Sequence, residues 1–333
     1  MKPFRIIGIE SSPYAVKVRA VMRYRHIAHR WVSRMPQYYE ETAGVRPRIM
    51  PVVQFPDGEY RTDSSPIIRD LEHIHPGERS IVPTDPGDAL LSEIIEDLAD
   101  EWLTKSLFHY RFSRARDAQS GASWVMDDAH PDAAGAEHAA HVSAFIARQT
   151  ARMPLVGCTP ENGPLLEKFY ADVLAVLEEF AATDCFLFGS RPAIADFGLY
   201  GQLKTLAVDP TPREILRNSA PRTEHWVLRL DDTSGVEGQW ASTLVPAVRG
   251  LLELAGRYYF PFLAADRRAL EAGEDAVEVE IEGCTYRQPV YRYQRKCYDY
   301  LTMRHGALAP DARERIAPLL RECDCLAYLA TPD

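Results

Sequence analysis

The sequence predicts a small α/β domain, then an all-helical domain, then a C-terminal extension that adds helices and a hairpin. The first 75 residues alternate strand-like and helix-like patterns, beginning with the Ile-rich run FRIIGI at residues 4–9. A Pro- and Gly-rich stretch without periodicity, residues 75–88, then marks a linker. Beyond it, apolar residues recur mainly at helical spacing. The expected units are residues 1–80, 88–235 and 236–333.

The first elements form a βαβ unit. After the buried-strand signal FRIIGI, Ser12 and Pro13 have the residue types of a helix N-cap and first helical position. A helix of about four turns follows, and HRWVSR at residues 29–34 predicts a second strand. Strands joined through a helix are expected to be parallel.

A hairpin and a second helix start complete the small domain. VVQF and EYRT flank the turn sequence PDG, which is typical of two antiparallel strands. Asp63 and the stretch SSPIIRD that follows it then repeat the outline of ESSPYAVKVR at residues 10–19. Pro66 is expected in the first turn of this helix, with Ser65 as its cap.

Helices dominate the remainder. Residues 113–137 are polar, small and irregular, and we expect a mobile loop there. In the extension, AVEVEIEGCTYRQPV at residues 276–290 predicts a half-exposed hairpin. The aromatic and basic stretch YRYQRKCYDYLTMR predicts a helix, and another is expected near residues 310–322.

Composition narrows the functional classes. The chain is 46% hydrophobic and 26% charged, as in ordinary globular proteins, and no apolar run approaches the length of a membrane span. There is no signal-peptide pattern, and the six cysteines follow no zinc or disulfide spacing. We therefore expect a cytoplasmic protein without a metal site and without a membrane partner.

Charge is distributed unevenly. The net charge is −10, which argues against nucleic acid as a partner. Residues 1–48 nevertheless carry ten Lys or Arg against three acids, a local charge of +7 against about −17 for the rest. This basic region fits a small anionic ligand, or equally a solvated basic helix face.

Four motifs in order resemble the cytosolic glutathione transferase family. They are SPYAVKVR, similar to the first-helix signature; IMPVV, similar to a cis-proline loop; Asp63 with SSPIIRDLE after it, similar to an acid-Ser motif; and RPAIADFGLY, similar to a helix-start motif. The resemblance covers residues 4–230 and implies a thioredoxin-like N-terminal domain followed by the family's all-α domain. Residues 236–333 have no counterpart in ordinary members.

Two residues depart from the family pattern. Ala193 stands where the helix-start motif has Ser or Thr, so half of a capping box is lost, a change that costs about 0.5–2 kcal/mol elsewhere. Asp196 is still expected to accept from the backbone N–H of residue 193. Met50 precedes Pro51 where Val is usual.

The resemblance places Ser12 at the catalytic position of serine-type members. A thiol with a pKa near 8.5 is a poor nucleophile at neutral pH. A hydroxyl donor at a helix N-terminus would favour its thiolate. Capping does not compete with this role, because a hydroxyl has one donor and two acceptor positions. Tyr14 is the rival donor, and cap-only remains the alternative for Ser12.

The other glutathione contacts follow from the same resemblance. Met50 and a cis Pro51 would present main-chain groups to the peptide, which would lie as an extra strand. Asp63 would meet the ligand's ammonium, and Ser64 its γ-glutamyl carboxylate. For the glycyl carboxylate the candidates are three side chains among which the sequence does not choose, Arg34, Gln37 and Arg46.

The predicted reaction is attack of glutathione thiolate, the co-substrate, on a small hydrophobic electrophile. The wall of the electrophile site is expected from aromatic residues of the helical domain, namely Trp102, Phe108, Tyr110 and Trp124, although such residues more often form core. The tyrosines of the extension, Tyr291, Tyr293, Tyr298 and Tyr300, are expected mainly to pack, with a lid or a partner surface as alternatives. The resemblance implies a homodimer.

Two other functions stay open. One is a non-catalytic scaffold of this fold that binds a ligand or a protein, with the extension as the contact. The other is a glutathione-dependent isomerase or dehalogenase.

Overall fold

The computed structural model describes residues 2–33, 35–183 and 185–330. The strands are β1 (Phe4–Gly8), β2 (His29–Ser33), β3 (Val52–Gln54), β4 (Tyr60–Thr62), β5 (Ala276–Ile281) and β6 (Cys284–Pro289). The helices are α1 (Pro13–Tyr24), α2 (Gln37–Glu41), α3 (Ser64–Ile74), α4 (Pro86–Leu98), α5 (Thr104–Ser113), α6 (Ala115–Ala129), α7 (Gly135–Thr150), α8 (Gly163–Phe180), α9 (Ile194–Leu206), α10 (Pro210–Ser219), α11 (Pro221–Leu230), α12 (Pro246–Leu254), α13 (Phe260–Ala272), α14 (Arg292–Gly306), α15 (Pro310–Glu322) and α16 (Leu326–Leu329).

The first domain has the predicted thioredoxin-like topology. Its sheet has the strand order β2-β1-β3-β4. β1 and β2 are parallel, whereas β3 is antiparallel to both β1 and β4. The chain thus runs βαβ and then ββα, as the hydrophobic patterns and the PDG turn indicated.

One sheet face packs on α1 and α3. Ile6 and Val53, which are neighbours across β1 and β3, have no exposed surface and join Val16, Ile67 and Leu71 in the main hydrophobic core. Val52, one residue from Val53, points to the opposite face because side chains alternate along a strand.

The helical domain surrounds α9. Ala193 offers no side-chain acceptor, but its backbone N–H donates to Asp196 Oδ2 at 2.8 Å, which confirms the half capping box. Asp196 Oδ1 also accepts from Leu187 N at 3.0 Å. Gly201 lets α9 approach α1 closely, since a Cβ at this position would lie 2.6 Å from the carbonyl oxygen of Pro13.

The prediction of a loop at residues 113–137 is wrong for most of this stretch, because α6 occupies Ala115–Ala129. Apart from Asp117, the buried residues of this helix are mostly small, at positions 118, 121, 122, 125, 126 and 129. Their three- and four-residue spacing makes a narrow apolar stripe that packs on α7. Small residues in a polar context gave too weak a hydrophobic signal to predict it.

The extension shares the core of the helical domain. Its hairpin is present as predicted, with Glu282 and Gly283 both at positive φ in the turn. Tyr258, Tyr259, Phe260 and Phe262 have no exposed surface and belong to the same hydrophobic cluster as α4, α8 and α9. A short π-helical turn, Ala255–Tyr259, joins α12 to α13, and another, Ala99–Leu103, joins α4 to α5.

Within the described residues, no helix combines the length and the apolarity that a membrane crossing requires.

Candidate functional site

Ser12 caps α1 as predicted. Its Oγ accepts from Ala15 N at 3.3 Å, and Pro13 follows as the first helical residue. The side chain is buried, with 6% of its surface exposed. The cap uses one acceptor position, so the hydroxyl proton is left to donate elsewhere.

Tyr14 points toward the helical domain. Its hydroxyl lies 2.9 Å from the carbonyl oxygen of Asp100 and 3.1 Å from Thr104 Oγ1. Burial raises the pKa of Tyr14 well above its usual range, so the phenol stays protonated. Its single proton is therefore engaged in this interface, and its role as a thiol donor stays a prediction.

The loop before Ser12 is fastened to the helical domain. Arg111, paired with Asp209 at 2.7 Å, donates to the carbonyl of Ser11 at 3.2 Å. The backbone N–H of Glu10 donates to Asp128 Oδ2 at 2.9 Å. Ser11 Oγ is buried and has no hydrogen-bond partner in the described structure. Sequence reasoning singled out Ser12 and missed this second hydroxyl.

The peptide bond between Met50 and Pro51 is cis, as the IMPVV motif implied. The side chain of Met50 packs against a small apolar cluster around Ile9. We define the α6–α7 cluster by its buried residues, Ile9, Ala122, Val125, Met126, Ala129 and Val142. It places α6 and α7 over the side of the domain that carries the start of α1 and the cis-proline loop.

Two of the four aromatic residues predicted for the electrophile wall, Trp102 and Tyr110, lie in the hydrophobic core. Trp102 has no exposed surface and contacts three rings of the core, and Tyr110 packs edge-on against Tyr170. Phe108 packs on Phe112, and Trp124 lies near the guanidinium of Arg111. The α6–α7 cluster reaches Ser12 through Ile9, whose carbonyl oxygen accepts from the backbone N–H of Ser12 at 3.1 Å. The sequence did not single out its aliphatic residues.

Asp63 lies immediately before α3 with its backbone in the left-handed region, at φ 76°. One carboxylate oxygen, Oδ2, accepts from the hydroxyl of Tyr293, in the extension, at 2.7 Å. Ser64 is 3% exposed, and its Oγ lies 3.5 Å from Asp100 Oδ2. The two residues expected at the γ-glutamyl end are thus adjacent, and both already contact side chains of later segments.

Next to them lies a buried polar cluster. Lys17 Nζ, fully buried, donates to Asp100 Oδ2 at 2.6 Å and also contacts Glu96. Burial raises the pKa of Asp100, and the Lys17 ammonium acts in the opposite direction. Ser65 Oγ accepts from Lys17 at 3.3 Å and donates to Glu96. The expectation that Ser65 is a pure cap is wrong, because α3 begins at Ser64 with Asp63 in the N-cap position, and the Ser65 hydroxyl faces α4.

The other basic residues of α1 and its C-cap, Arg25, also meet acids. Arg19 pairs with Glu10, Arg23 donates to Asp231 Oδ2 at 2.9 Å, and Arg25 lies 2.7 Å from Glu72. The basic helix is therefore neither a solvated face nor an open anion site, because much of its charge is neutralised inside the protein.

The glycyl end is the least defined part. Arg34 and the side chain of Gln37 lie outside the described structure. Arg46 donates to the carbonyls of Ala43 and Val45, at 2.6 and 2.9 Å, within its own loop. A half-open cavity of about 190 Å³ lies beside this loop, with residues 39, 42, 43, 45, 47–49 and 52 as its lining. It lies next to α2 rather than over Ser12.

The tyrosines of the extension behave differently from one another. Tyr298 donates to the carbonyl of Tyr328 at 2.8 Å, and Tyr300 lies under the guanidinium of Arg69, so both pack the extension as expected. Tyr291 is exposed. Of these four tyrosines, Tyr293 is the one that hydrogen-bonds to a residue predicted to contact the ligand, Asp63.

No group of three or more His, Cys, Asp or Glu side chains that could hold a metal ion occurs in residues 2–33, 35–183 and 185–330.

Residues 6–79 match the family model of the glutathione S-transferase N-terminal domain. No curated protein sequence matches the chain. Similar solved structures include a glutathione S-transferase from Methylobacterium radiotolerans JCM 2831 in complex with glutathione sulfonate, with 21% identity and a TM-score of 0.44, covering 73% of this chain and 98% of that one. The beta-etherase LigF from Sphingobium sp. strain SYK-6 has 17% identity and a TM-score of 0.49, with coverages of 76% and 99%. A glutathione S-transferase from Methylobacillus flagellatus KT with glutathione bound has 18% identity and a TM-score of 0.41, with coverages of 69% and 96%.

Proposed function

We propose that the protein binds glutathione and transfers its thiolate to a small hydrophobic electrophile. The match of residues 6–79 to the family model of the glutathione S-transferase N-terminal domain supports this proposal. The observation that carries this proposal is the geometry of Ser12. The residue caps α1 through its acceptor lone pair and keeps its proton for a ligand at the same helix end. A hydroxyl donor and a helix N-terminus both stabilise a thiolate over a thiol.

In this proposal, the start of α1 holds the sulfur and the start of α3 holds the γ-glutamyl end. Ser12 donates to the sulfur, Met50 offers its main chain, Asp63 accepts from the ammonium, and Ser64 meets the carboxylate. The α6–α7 cluster supplies apolar surface next to the sulfur. Glutathione entry requires a displacement of α6 and α7, whose buried cluster now contacts the side chain of Met50. A homodimer and a cytoplasmic location remain predictions.

Glutathione binding is the first test. Isothermal titration calorimetry with glutathione up to millimolar concentration is expected to show one site per chain. Absence of heat at these concentrations, with the protein shown to be folded by circular dichroism, would contradict the proposal.

The role of Ser12 is tested by comparing Ser12→Ala with Ser12→Gly in a conjugation assay with an aryl halide. Both variants remove the donor, so we expect kcat/KM to fall about 10- to 100-fold and the pKa of the bound thiol to rise by about one to two units. Gly costs only a few tenths of a kcal/mol as a cap whereas Ala costs about 1 kcal/mol. The Gly variant therefore separates lost catalysis from lost helix stability. Turnover in Ser12→Gly equal to that of the wild type would assign activation to another donor.

A non-catalytic scaffold is the second candidate, and one observation favours it. Asp63 and Ser64 already contact Tyr293 and Asp100 of later segments, as in a site whose polar groups are satisfied internally. Glutathione binding without conjugation of any electrophile tested would favour this candidate.

A further inference from the structure

The first turn of α14 links the extension to both earlier domains. Tyr293 Oη donates to Asp63 Oδ2 in the first domain at 2.7 Å. The next residue, Gln294, donates from Nε2 to Glu101 Oε2 in the helical domain, also at 2.7 Å. Two consecutive side chains thus contact two carboxyl groups in different domains. Packing alone does not require hydrogen bonds of this kind, since apolar side chains would serve as well.

Tyr293 can act only as a donor to Asp63. Burial, followed by the charges of Glu101 and Asp63, raises the pKa of Tyr293, so the phenol keeps its proton. A phenol that donates to a carboxylate fixes the direction of that carboxylate. Asp63 also has a positive φ, an uncommon backbone conformation for a residue with a side chain.

The contact leaves acceptor positions of the Asp63 carboxylate unused. An ionised carboxylate has two oxygens and about four acceptor positions, and Tyr293 occupies one of them. The phenol oxygen keeps lone pairs of its own, and the carboxyl group of Glu101 lies nearby. An ammonium group has three donors and no acceptor, so it suits a place where several oxygens converge.

We propose that Tyr293 is a positioning residue for the γ-glutamyl end of the ligand: it orients Asp63 so that this carboxylate selects ligands with a free α-ammonium. The inference rests on the proposed glutathione-dependent function and extends it, because it makes the extension part of ligand recognition. Without the Tyr293 hydroxyl, the Asp63 carboxylate would lose its orientation. The ligand's ammonium would then lose its partner.

The test compares two ligands that differ only at the amino group. The first is glutathione, and the second is its analogue with hydrogen in place of the α-amino group, a glutaryl-cysteinylglycine. Calorimetry gives the Kd of each for the wild type, Tyr293→Phe and Tyr298→Phe. Tyr298→Phe is the matched control, since it also removes a hydroxyl from α14. The Tyr298 hydroxyl donates to the carbonyl of Tyr328 instead of to Asp63.

We expect Tyr293→Phe to weaken glutathione binding about tenfold and to change the Kd of the analogue less than twofold. Tyr298→Phe is expected to leave both affinities unchanged. In an Asp63→Asn background, Tyr293→Phe should cause no further loss of glutathione affinity, because Tyr293 acts on the ligand only through Asp63.

Three results would overturn the inference alone: equal weakening of both ligands, no effect of Tyr293→Phe, or tighter glutathione binding by that variant. If the wild type binds glutathione in any of these cases, the proposed function still stands. A wild type that binds neither ligand at millimolar concentration would overturn the proposed function and this inference with it.

Discussion

Lys17 shows how much of the basic N-terminal region is structural. A lysine with no exposed surface is rare, and it persists here because Glu96 and Asp100 accept from its ammonium. All three groups were removed from water on folding, so their attraction mainly offsets desolvation. The cluster fixes how α1 lies against α4, and with it the position of the residues at the start of α3.

Removal of this one cation is predicted to destabilise the fold strongly. Lys17→Met keeps the length of the side chain but leaves two buried carboxylates without their counter-charge. We expect the free energy of unfolding to fall by about 3–5 kcal/mol, measured by urea denaturation.

Lys168→Met is the matched control, because Lys168 is half exposed. It pairs with Asp172 at i,i+4 and also contacts Glu282 and the hydroxyl of Tyr258. This change is expected to cost at most about 1 kcal/mol. If the free energy of unfolding fell by similar amounts in the two variants, the buried cluster would contribute no more to stability than a surface pair.

The residues that the sequence identified are those with local signals. Ser12 and Pro51 lie in short motifs, and the cap and the cis bond were both confirmed. Tyr293 could not be assigned to the site, because its partner Asp63 lies 230 positions earlier in the chain. Ser11 was missed for a different reason: nothing in the sequence distinguishes a buried unpaired hydroxyl from a solvated one.

Among the elements, the best-predicted ones have strong periodicity or turn chemistry. The parallel β1–β2 pair and the β5–β6 hairpin follow from an apolar run and from a Glu-Gly turn. The two π-helical turns were not predicted, since they reflect how long helices fit their neighbours. The turn Ala255–Tyr259 lies where Gly256 meets the backbone of the C-terminal segment.

Gly256→Ala is therefore predicted to displace that segment. A Cβ at this position would lie 1.9 Å from the carbonyl oxygen of Cys323, and backbone cannot move aside as a side chain can. We expect a loss of about 1–3 kcal/mol in thermal or urea unfolding.

Gly306→Ala serves as control at the end of α14, where no atom of the described structure lies within 4 Å of the added methyl. Because Gly306 is the last residue of α14, this change is expected to gain at most about 1 kcal/mol. If both variants gained stability, the close contact at Gly256 would not exist in solution.

At the scale of the whole molecule, three predicted units share one continuous core. Tyr259 and Phe260 of the extension lie in the same cluster as Leu91 of α4 and Phe169 of α8. The boundary expected near residue 235 separates stretches of sequence that differ in family resemblance. It does not separate two bodies that could fold apart, because each buries the apolar surface of the other.

Truncation after residue 235 is thus predicted to give an insoluble product. The lost segment covers apolar surface of α4 and α8, and exposed patches of that size promote aggregation. The measurement is the soluble fraction on expression, followed by size-exclusion chromatography.

Co-expression of residues 236–333 as a separate chain is the control, and it is expected to restore solubility at least in part. A monodisperse, cooperatively unfolding protein of residues 1–235 alone would contradict a shared core.

The Tyr293–Asp63 hydrogen bond joins two residues that are synthesised at very different times. Asp63 leaves the ribosome 230 residues before its partner. At about 5–20 residues per second, this corresponds to a delay of roughly 10 to 50 seconds. During synthesis the first domain therefore passes through a period in which its sheet can form but Asp63 has no phenol beside it. With the proposed role of Tyr293, a nascent chain would acquire its final ligand preference only after this residue has left the ribosome.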